Sequence, residues 1–264
     1  MSQTVKTVAL YDGSINIAFS PNARNRYMVM EDGHSPVGCT TILQSLAKPG
    51  LALWPMYESI AWLKAHPEDY DGAEKAYLIK SDKGKDVGTE VHDAIEKWLI
   101  NIQNAVTLSR SILADKQAEK AVMAFTNWYV SHGSGNIKVL ATEQIIYSKQ
   151  YDYAGTYDAL LEIDGKAVLC DMKTTNTSRT APLGIYPEYL LQLGGYSLAH
   201  HEENPEQQID DLMIIRVGKD GVLNTLRASE LGFIPSFLED AFKSVVSTYK
   251  FLTPLSKVLQ ERKV

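Results

Sequence analysis

Cysteine is scarce in this chain, and features that would mark a membrane or secreted protein are missing. The 264 residues include two cysteines, Cys39 and Cys170, whereas an iron–sulfur cluster is normally held by four thiolates. No apolar run is long enough to span a bilayer, and residues 1–10 lack a signal-peptide pattern. We therefore expect no iron–sulfur cluster, no membrane association and a cytoplasmic location in a bacterium or a phage-infected cell.

Basic charge is also low. The chain has 26 Lys and Arg residues against 32 Asp and Glu residues, which gives a net charge of -6. A strongly basic domain would indicate nucleic-acid binding, and this balance argues against tight non-specific binding of a duplex. It leaves room for an enzyme with a local basic groove, because a carboxylate metal site is itself acidic. The 45% hydrophobic content is that of an ordinary globular protein with a substantial core.

Hydrophobic periodicity divides the chain into helical and strand-rich parts. It predicts helices at 54–64, 86–103, 109–130, 182–201 and 229–251. Strands are predicted within 8–30 and at 138–147, 151–163, 166–173 and 211–217. This order predicts one α/β domain over residues 1–264, with a mixed central sheet flanked by helices and a helical N-terminal part.

The segment 153–173 carries the strongest local signal, a predicted hairpin with a two-residue Asp164-Gly165 turn. The turn fixes a register that pairs Ile163 with Lys166, Leu161 with Val168, Ala159 with Cys170 and Asp158 with Asp171. Side chains alternate along a strand, so Lys173 shares the face of Asp171. By the same alternation, Tyr157 is expected on the opposite face, with Ala159 and Leu161.

Two carboxylates facing each other across a hairpin require compensation, because like charges at that distance are destabilising. A divalent cation with oxygen ligands would provide it, and Lys173 would add a further positive charge. A simpler interpretation is a solvated strand face with a surface ion pair, since most charged residues are exposed. The apolar neighbours on both faces instead favour a sheet buried between helix layers.

Three further groups have the chemistry of a site. His92 lies at the apolar edge of the predicted helix 86–103, where a histidine satisfied within the core is the simpler interpretation. Glu143 lies on the predicted strand 138–147 with apolar residues at even spacing, so its carboxylate needs a partner. Gln192 and Tyr196 are four residues apart and share one helix face, which by itself indicates packing as readily as binding.

Together these residues resemble a known family, the RecB-type branch of the PD-(D/E)XK nucleases. Its members share a helix histidine, a G-x-x-D strand, a D-x-K strand and a Q-x-x-x-Y helix in that order. The matching segments are Gly88-Thr89-Glu90-Val91-His92, Gly155-Thr156-Tyr157-Asp158, Asp171-Met172-Lys173-Thr174 and Gln192-Leu193-Gly194-Gly195-Tyr196. Residues 40–54 are more loosely similar to phage-encoded and mitochondrial genome-maintenance exonucleases of this branch.

The resemblance implies a restriction-endonuclease-like core over residues 85–264, with residues 1–84 covering its groove. It also implies a Mg²⁺ or Mn²⁺ site, and the implied ligands are Asp158, Asp171, the Met172 carbonyl and His92. Lys173 would position or deprotonate the attacking water, and Gln192 and Tyr196 would hold the DNA backbone. Glu143 matches an acidic residue often found before the G-x-x-D strand and is a candidate catalytic residue.

The segment that follows the D-x-K strand contains two further candidates for substrate contact. Thr174 and Arg179 follow the strand, and hydroxyl and guanidinium groups bind phosphate well. The expected substrate is DNA that is single-stranded or has free ends, threaded under the N-terminal region, and a single-strand-binding or recombination protein is a candidate partner.

The expected function is a metal-dependent exonuclease in DNA replication, recombination or repair. Three alternatives stay open at this point. One is a structure-specific or restriction-like endonuclease of the same fold. Another is an inactive nucleic-acid-binding protein, against which the complete set of Asp158, Asp171 and Lys173 argues. The last is a metal or carboxylate site unrelated to nucleases, which the Gln192 and Tyr196 match disfavours.

Overall fold

The computed structural model describes residues 5–21, 23–46, 52–103, 113, 115–132, 136–175 and 184–261. The strands are β1 (Lys6–Leu10), β2 (Ile15–Phe19), β3 (Tyr27–Val29), β4 (Val37–Gly38), β5 (Ile137–Ser148), β6 (Tyr153–Ile163), β7 (Lys166–Thr175), β8 (Asp211–Gly218) and β9 (Leu223–Arg227). The helices are α1 (Cys39–Ile42), α2 (Trp54–Ala65), α3 (Tyr70–Gln103), α4 (Lys116–Ser131), α5 (Pro187–Glu203) and α6 (Pro235–Glu261).

The strands divide between two sheets. β1, β2 and β3 form a small antiparallel meander. In the larger sheet of six strands, β6 pairs with β4 in parallel and with β5 and β7 in antiparallel orientation. β8 pairs in parallel with β7 and antiparallel with β9. This mixed sheet flanked by helices confirms the predicted α/β class and is consistent with a restriction-endonuclease-like core.

The predicted hairpin register is correct up to its last pair. Asp164 and Gly165 have positive φ angles of 51° and 76°, as a tight hairpin turn requires. The ladder between β6 and β7 pairs Ile163 with Lys166, Leu161 with Val168 and Ala159 with Cys170. It ends there, so Asp158 and Asp171 lie one position beyond the last paired residues.

Helices cover both faces of the large sheet. One face packs against α3 and α4 and includes Ala159, Leu161, Val168, Cys170 and Met172. The other packs against α5 and α6 and includes Leu160, Leu169, Leu212 and Ile214. Tyr157 belongs to this second layer, with its ring centroid 5.9 Å from that of His200. Its predicted position beside Ala159 and Leu161 is therefore wrong, because the alternation breaks where β6 leaves its ladder with β7.

The helix that carries His92 is longer than predicted. α3 has 34 residues and begins at Tyr70 rather than near residue 86. Its first half packs against α2, and Ala73 and Ala76 are the buried residues of that contact. α2 itself buries no residue of its own in the described part of the chain. The two helices therefore form a hairpin that buries fewer and smaller apolar side chains than the core does.

Other helix boundaries also shift. Asp115 caps α4, since its carboxylate accepts from the Gln117 amide at 2.6 Å, while most of the predicted start at 109–114 lies outside the described residues. α5 begins at Pro187, and the predicted start near residue 182 also lies outside them. The last helix starts at Pro235 instead of residue 229 and continues through Pro254. β9 was not predicted; it follows the turn at 219–221 as the antiparallel partner of β8.

The small sheet lies against β5 and β6. Its core residues Leu10, Ile17, Tyr27 and Val29 cluster with Ile145, Tyr147 and Ala154. An ion-pair bridge fastens it further, since His34 Nδ1 is 2.6 Å from Asp32 Oδ1 and His34 Nε2 is 2.9 Å from Asp152 Oδ1. The position of β2 and β3 is thereby fixed relative to the hairpin predicted to carry the site.

Candidate metal centre

A gap along one edge of β6 creates the site. On that edge, β4 pairs with Tyr153 and Ala154, and β7 pairs with β6 only from Ala159 onward. Residues 155–158 lie between these two neighbours. Asp158 bridges the gap through its side chain, since its Oδ2 accepts a hydrogen bond from the Met172 amide at 2.5 Å. A carboxylate thus replaces the ladder bond that a continuous β6–β7 pairing would have made.

Three candidate ligands meet at this gap. Donor atoms of His92, Glu143 and Asp158 all lie within 4.8 Å of one another, and His92 Nδ1 is 3.2 Å from Asp158 Oδ1. Glu143 lies between Thr142 and Gln144, whose β6 partners are Ala159 and Tyr157, so it stands opposite Asp158. One imidazole nitrogen and two carboxylates make a donor set that suits a divalent cation such as Mg²⁺ or Mn²⁺.

The backbone at Glu143 is strained. Its φ angle is 45°, in the left-handed region that residues other than glycine rarely adopt. Such a conformation costs on the order of 1–3 kcal/mol and persists where the surroundings impose it. Here the strained residue stands opposite Asp158, in the middle of a strand.

The electrostatics of this cluster reflect burial of like charges. Burial, reinforced by the Asp158 carboxylate, raises the pKa of Glu143 to about 8. Burial opposes the charge on His92, but Asp158 outweighs it and raises the pKa of His92 to about 9. Burial also opposes the charge on Asp158, yet His92 holds the pKa of that carboxyl below its usual range. Without a cation, the cluster therefore favours one protonated carboxyl beside an ion pair.

Asp171 occupies the same cleft but has different partners. It is 2% exposed, and its Oδ2 lies 2.5 Å from Lys173 Nζ. Its Oδ1 accepts from Gln192 Nε2 at 3.3 Å. Burial and the nearby Asp158 raise the pKa of Asp171 to about 6, although Lys173 works against them. The predicted neighbours Asp158, Asp171 and Lys173 are thus brought into one cleft, with Glu143 in the closer cluster.

Met172 and Lys173 show how β7 presents its two faces. The Met172 side chain is buried in the layer under α3 and α4, and its amide is held by Asp158. Lys173 points the other way and is 20% exposed in its side chain. Its Nζ also lies 5.2 Å from the centroid of the Tyr189 ring, within cation–π range. Asp171 and Tyr189 together hold the ammonium group in one place.

Gln192 and Tyr196 line the cleft but expose little surface to it. Both are buried, at 6% and 4% exposure. Gln192 Nε2 lies 2.5 Å from Tyr196 Oη, so the tyrosine orients the amide that donates to Asp171. Burial raises the pKa of Tyr196 well above its usual value. In the structure, Gln192 therefore contacts Asp171 and Tyr196, and a contact of either residue with DNA stays a prediction.

Glycine at position 155 makes room for this arrangement. A Cβ on Gly155 would lie 2.6 Å from Cε1 of the Tyr196 ring. A similar need for space appears on α5, where a Cβ on Gly194 would lie 2.4 Å from the Leu238 carbonyl oxygen of α6. The glycines of both motifs thus serve close packing of α5 against β6 on one side and α6 on the other.

The two candidates beyond the D-x-K strand differ in what can be said of them. Arg179 lies outside the described residues. Thr174 is half-buried, and within the described ranges its Oγ1 has no hydrogen-bond partner. The neighbouring Thr175 carbonyl accepts from the fully buried Arg216 at 2.8 Å, a tether that the sequence did not reveal.

The cleft above the carboxylates has a volume of about 460 Å³ and two walls. One wall is α3, with Lys85, Thr89 and His92. The other comprises residues that the sequence did not single out, namely Phe19, Arg26 and Tyr27 of the small sheet. No local pattern could have identified them, because they reach the cleft through long-range packing of the small sheet on β5. The region 40–80 was predicted to form a helical wall over the groove. Of its described residues, Thr40 lines the cleft.

Within the described ranges, no helix combines the length and apolar character that crossing a bilayer requires.

Neither a family model nor a curated protein matches the chain. Solved structures that are similar over part of it include the following two. The crystal structure of SSO0001 has 15% identity and a TM-score of 0.32, with 53% of this chain and 62% of that chain covered. The alkaline exonuclease LHK-Exo from Laribacter hongkongensis has 16% identity and a TM-score of 0.29, with 57% and 78% covered.

The matched region is thus less than two thirds of the length of SSO0001. At TM-scores of 0.32 and 0.29, neither similarity assigns a family or an activity to this chain. The candidate function rests on the residues of the cleft.

Proposed function

We propose that this protein is a metal-dependent deoxyribonuclease that hydrolyses DNA phosphodiester bonds. The observation that carries the proposal is the gap in the sheet. At this gap, donor atoms of His92, Glu143 and Asp158 lie within 4.8 Å of one another, beside the ion pair of Asp171 and Lys173. Phosphodiester hydrolysis needs an activated water and stabilisation of negative charge on the phosphate, and this set of groups offers both.

The donor set fits Mg²⁺ or Mn²⁺, which prefer carboxylates together with water and substrate oxygens. A bound ion would supply Lewis acidity and lower the pKa of a coordinated water. His92, Glu143 and Asp158 would hold it, and Asp171 and the Met172 carbonyl are candidate ligands on the β7 side. The half-buried Glu143 beside Asp158 supports this, because a cation would offset the burial and the Asp158 charge that together raise the pKa of Glu143 to about 8.

Lys173 is the candidate catalytic residue on the other side of the cleft. Its ammonium is held by Asp171 at 2.5 Å and remains partly exposed to the cleft. There it would stabilise charge developing on the phosphate oxygens, or take the proton of the attacking water. Gln192 would fix the Asp171 carboxylate and thus act on Lys173 indirectly.

The finer assignment is an exonuclease of the RecB-type branch of PD-(D/E)XK nucleases. It is supported by the four motifs in order and by the looser similarity of residues 40–54 to phage-encoded and mitochondrial genome-maintenance exonucleases. The net charge of -6 disfavours binding along an internal duplex and favours free ends or single strands. We place the activity in cytoplasmic DNA replication, recombination or repair, with a single-strand-binding or recombination protein as candidate partner and with Thr174 and Arg179 as substrate contacts.

Digestion of labelled DNA tests this proposal. Linear single strands, linear duplexes and covalently closed single-stranded circles are incubated with the protein in Mg²⁺, in Mn²⁺ and in EDTA. We expect loss of linear strands with either metal, no loss in EDTA and resistance of the circles. Cutting of the circles would show that the enzyme is an endonuclease and not an exonuclease. Intact DNA under every condition would contradict the proposal that the protein is a nuclease.

The variant Lys173→Ala sharpens the test. It should lower turnover by roughly a hundredfold or more, as loss of a group that stabilises the transition state does. Lys138→Ala is a matched control, because Lys138 is an exposed lysine paired with Glu162 on the other end of β6. Equal activity of the two variants would remove Lys173 from the mechanism.

A further inference from the structure

The hairpin formed by β2 and β3 is tied directly to the floor of the cleft. Phe19 and Tyr27 are paired across it, with ring centroids 5.1 Å apart and ring planes tilted by 31°. Tyr27 is 4% exposed, and its Oη lies 3.0 Å from Thr156 Oγ1. Thr156 pairs with Ile145 of β5 and lies where the other edge of β6 has no strand partner, two residues before Asp158. The hairpin therefore holds a fixed position beside the carboxylates.

Phe19 and Arg26 project from this hairpin into the cleft. Tyr27 packs on one side of the half-buried Phe19 ring, and Phe19 itself lines the cleft. Arg26 is exposed, lines the cleft, and has its guanidinium carbon 5.9 Å from the Tyr27 ring centroid. Among the described residues, Arg26 forms no ion pair with a carboxylate. An aromatic ring and a guanidinium with no carboxylate partner among the described residues thus both line the cleft, each in contact with Tyr27.

The two walls of the cleft differ in charge near the metal cluster. On α3, Asp93 and Glu96 flank the cluster beside His92 and disfavour a phosphate backbone there, while the basic Lys85 lies about two turns away along the helix. The opposite wall presents Arg26, and Lys6 of β1 reaches the Glu143 carbonyl from the same sheet at 3.3 Å. A polyanion entering the cleft is therefore drawn to the side of the small sheet.

We propose that Phe19 and Arg26 form a subsite for one unpaired nucleotide next to the bond that is cleaved. Phe19 stacks on the base, and Arg26 contacts the adjoining phosphate. A base offers its face to a side chain only when it is not stacked within a duplex, so the subsite selects single strands and frayed ends. Arginine suits the phosphate because its planar fork matches the phosphate oxygens. This inference rests on the proposed nuclease function and specifies the substrate of the same cleft.

Binding in EDTA tests the subsite apart from cleavage. Fluorescence anisotropy measures the affinity of wild type, Phe19→Leu and Arg26→Ala for a labelled single-stranded oligonucleotide. Phe19→Leu keeps apolar bulk in the sheet and removes the aromatic face. We expect Phe19→Leu to bind roughly 5-fold to 150-fold more weakly, the range for loss of one stacking contact, and Arg26→Ala to bind more weakly through loss of one phosphate contact.

Arg24→Ala is the matched control, an exposed arginine two residues away on the same hairpin. It does not belong to the cleft lining among the described residues. If Arg24→Ala weakens binding as much as Arg26→Ala, the effect is general charge and the subsite is wrong. If Phe19→Leu binds like wild type, the stacking contact is wrong.

A scan with abasic substrates locates the nucleotide. One base at a time is removed from a single strand, and cleavage by wild type is compared with cleavage by Phe19→Leu in Mn²⁺. One position should slow wild type severalfold and leave Phe19→Leu unaffected, because the variant has already lost that contact. Equal sensitivity of both proteins at every position would overturn the subsite. If wild type cleaves no DNA but binding depends on Phe19 and Arg26, the nuclease fails and the subsite stands.

Discussion

Asp158, one position past the last ladder pair of β6 and β7, accepts a hydrogen bond through its carboxylate from the amide of Met172, two positions past that pair. The bond ties the two carboxylate-bearing strands together where their main chains separate. One oxygen of Asp158 is used in this way, and the other faces His92 at 3.2 Å. Asp158 therefore serves both the fold and the candidate metal centre, which makes its substitution a poor probe of either alone. The predictions below use its neighbours.

Metal binding should stabilise the folded protein. An ion held by His92, Glu143 and Asp158 binds only the native arrangement, and saturation at a hundred times the dissociation constant adds about 2.7 kcal/mol. For a domain of this size we expect Mn²⁺ to raise the melting temperature by roughly 5 °C or more. Glu143→Gln should abolish most of that rise, as measured by calorimetry. Glu162→Gln, on the outer end of β6, should leave it unchanged, and an equal rise in both variants would remove Glu143 from the metal site.

Stability without metal should fall as the pH rises. The pKa of Glu143 is raised to about 8 and that of Asp171 to about 6, above the unfolded values near 4, so the folded state binds more protons between these limits. His92, with a pKa raised to about 9, stabilises the fold below about pH 6.5 and loses that contribution as pH passes 9. All three shifts predict a decline of the melting temperature from pH 5.5 to 9 in EDTA.

Glu143→Gln provides the check on that decline. The amide does not titrate, so the slope of melting temperature against pH should become flatter between about pH 5 and 8. Identical slopes for the variant and wild type would show that Glu143 does not contribute. Saturating Mn²⁺ should also flatten the wild-type slope, because a bound cation favours the ionised carboxylate.

Gln192→Met separates two roles for the Q-x-x-x-Y helix. The structure has Gln192 donating to Asp171, so methionine, which has a similar volume, should lower turnover by about tenfold and leave DNA affinity unchanged. It should also shift the pH profile of turnover, since the hydrogen bond that the Gln192 side chain donates favours the charged form of Asp171. A loss of DNA affinity with unchanged turnover would instead support direct contact with the DNA backbone.

Gly155→Ala tests the packing beneath the site. The added Cβ would lie 2.6 Å from the Tyr196 ring, and forcing the ring aside should cost about 1–3 kcal/mol of stability. Gly88→Ala is the matched comparison, because a Cβ there meets no atom within 4 Å among the described residues. In the middle of α3, that change should stabilise the fold by roughly 0.5–1 kcal/mol. Chemical denaturation of both variants measures the two effects, and a neutral Gly155→Ala would contradict the packing described.

The sequence predicted the site best where local geometry determined it. The turn at Asp164-Gly165 and the period of two along a strand were sufficient to bring Asp158 and Asp171 to the same end of the hairpin. They could not show that the ladder stops at Ala159, because that depends on β4 and β7 meeting the same edge of β6. The strict alternation therefore misplaced Tyr157.

The long-range parts of the cleft were beyond such reasoning. Phe19 and Arg26 reach it through packing of the small sheet on β5, more than a hundred residues away in the chain. β9 was missed because its short segment follows a turn and is only partly buried. The start of α3 was misplaced because residues 70–85 are largely exposed and give a weak apolar stripe, and only contact with α2 shows what that half of the helix packs against.

The length of α3 gives the cleft a mechanical property. A helix of 34 residues is about 51 Å long, and it carries His92 in one half and the packing surface for α2 in the other. Gly84 and Gly88 lie between the two halves, where the helix has least resistance to bending. A bend of roughly 5° at that point would swing the far end by about 2 Å. A displacement of the α2 hairpin would therefore be taken up by bending at Gly84 and Gly88, while the half of α3 that carries His92 stays packed in the core through Val91, Ile95 and Leu99.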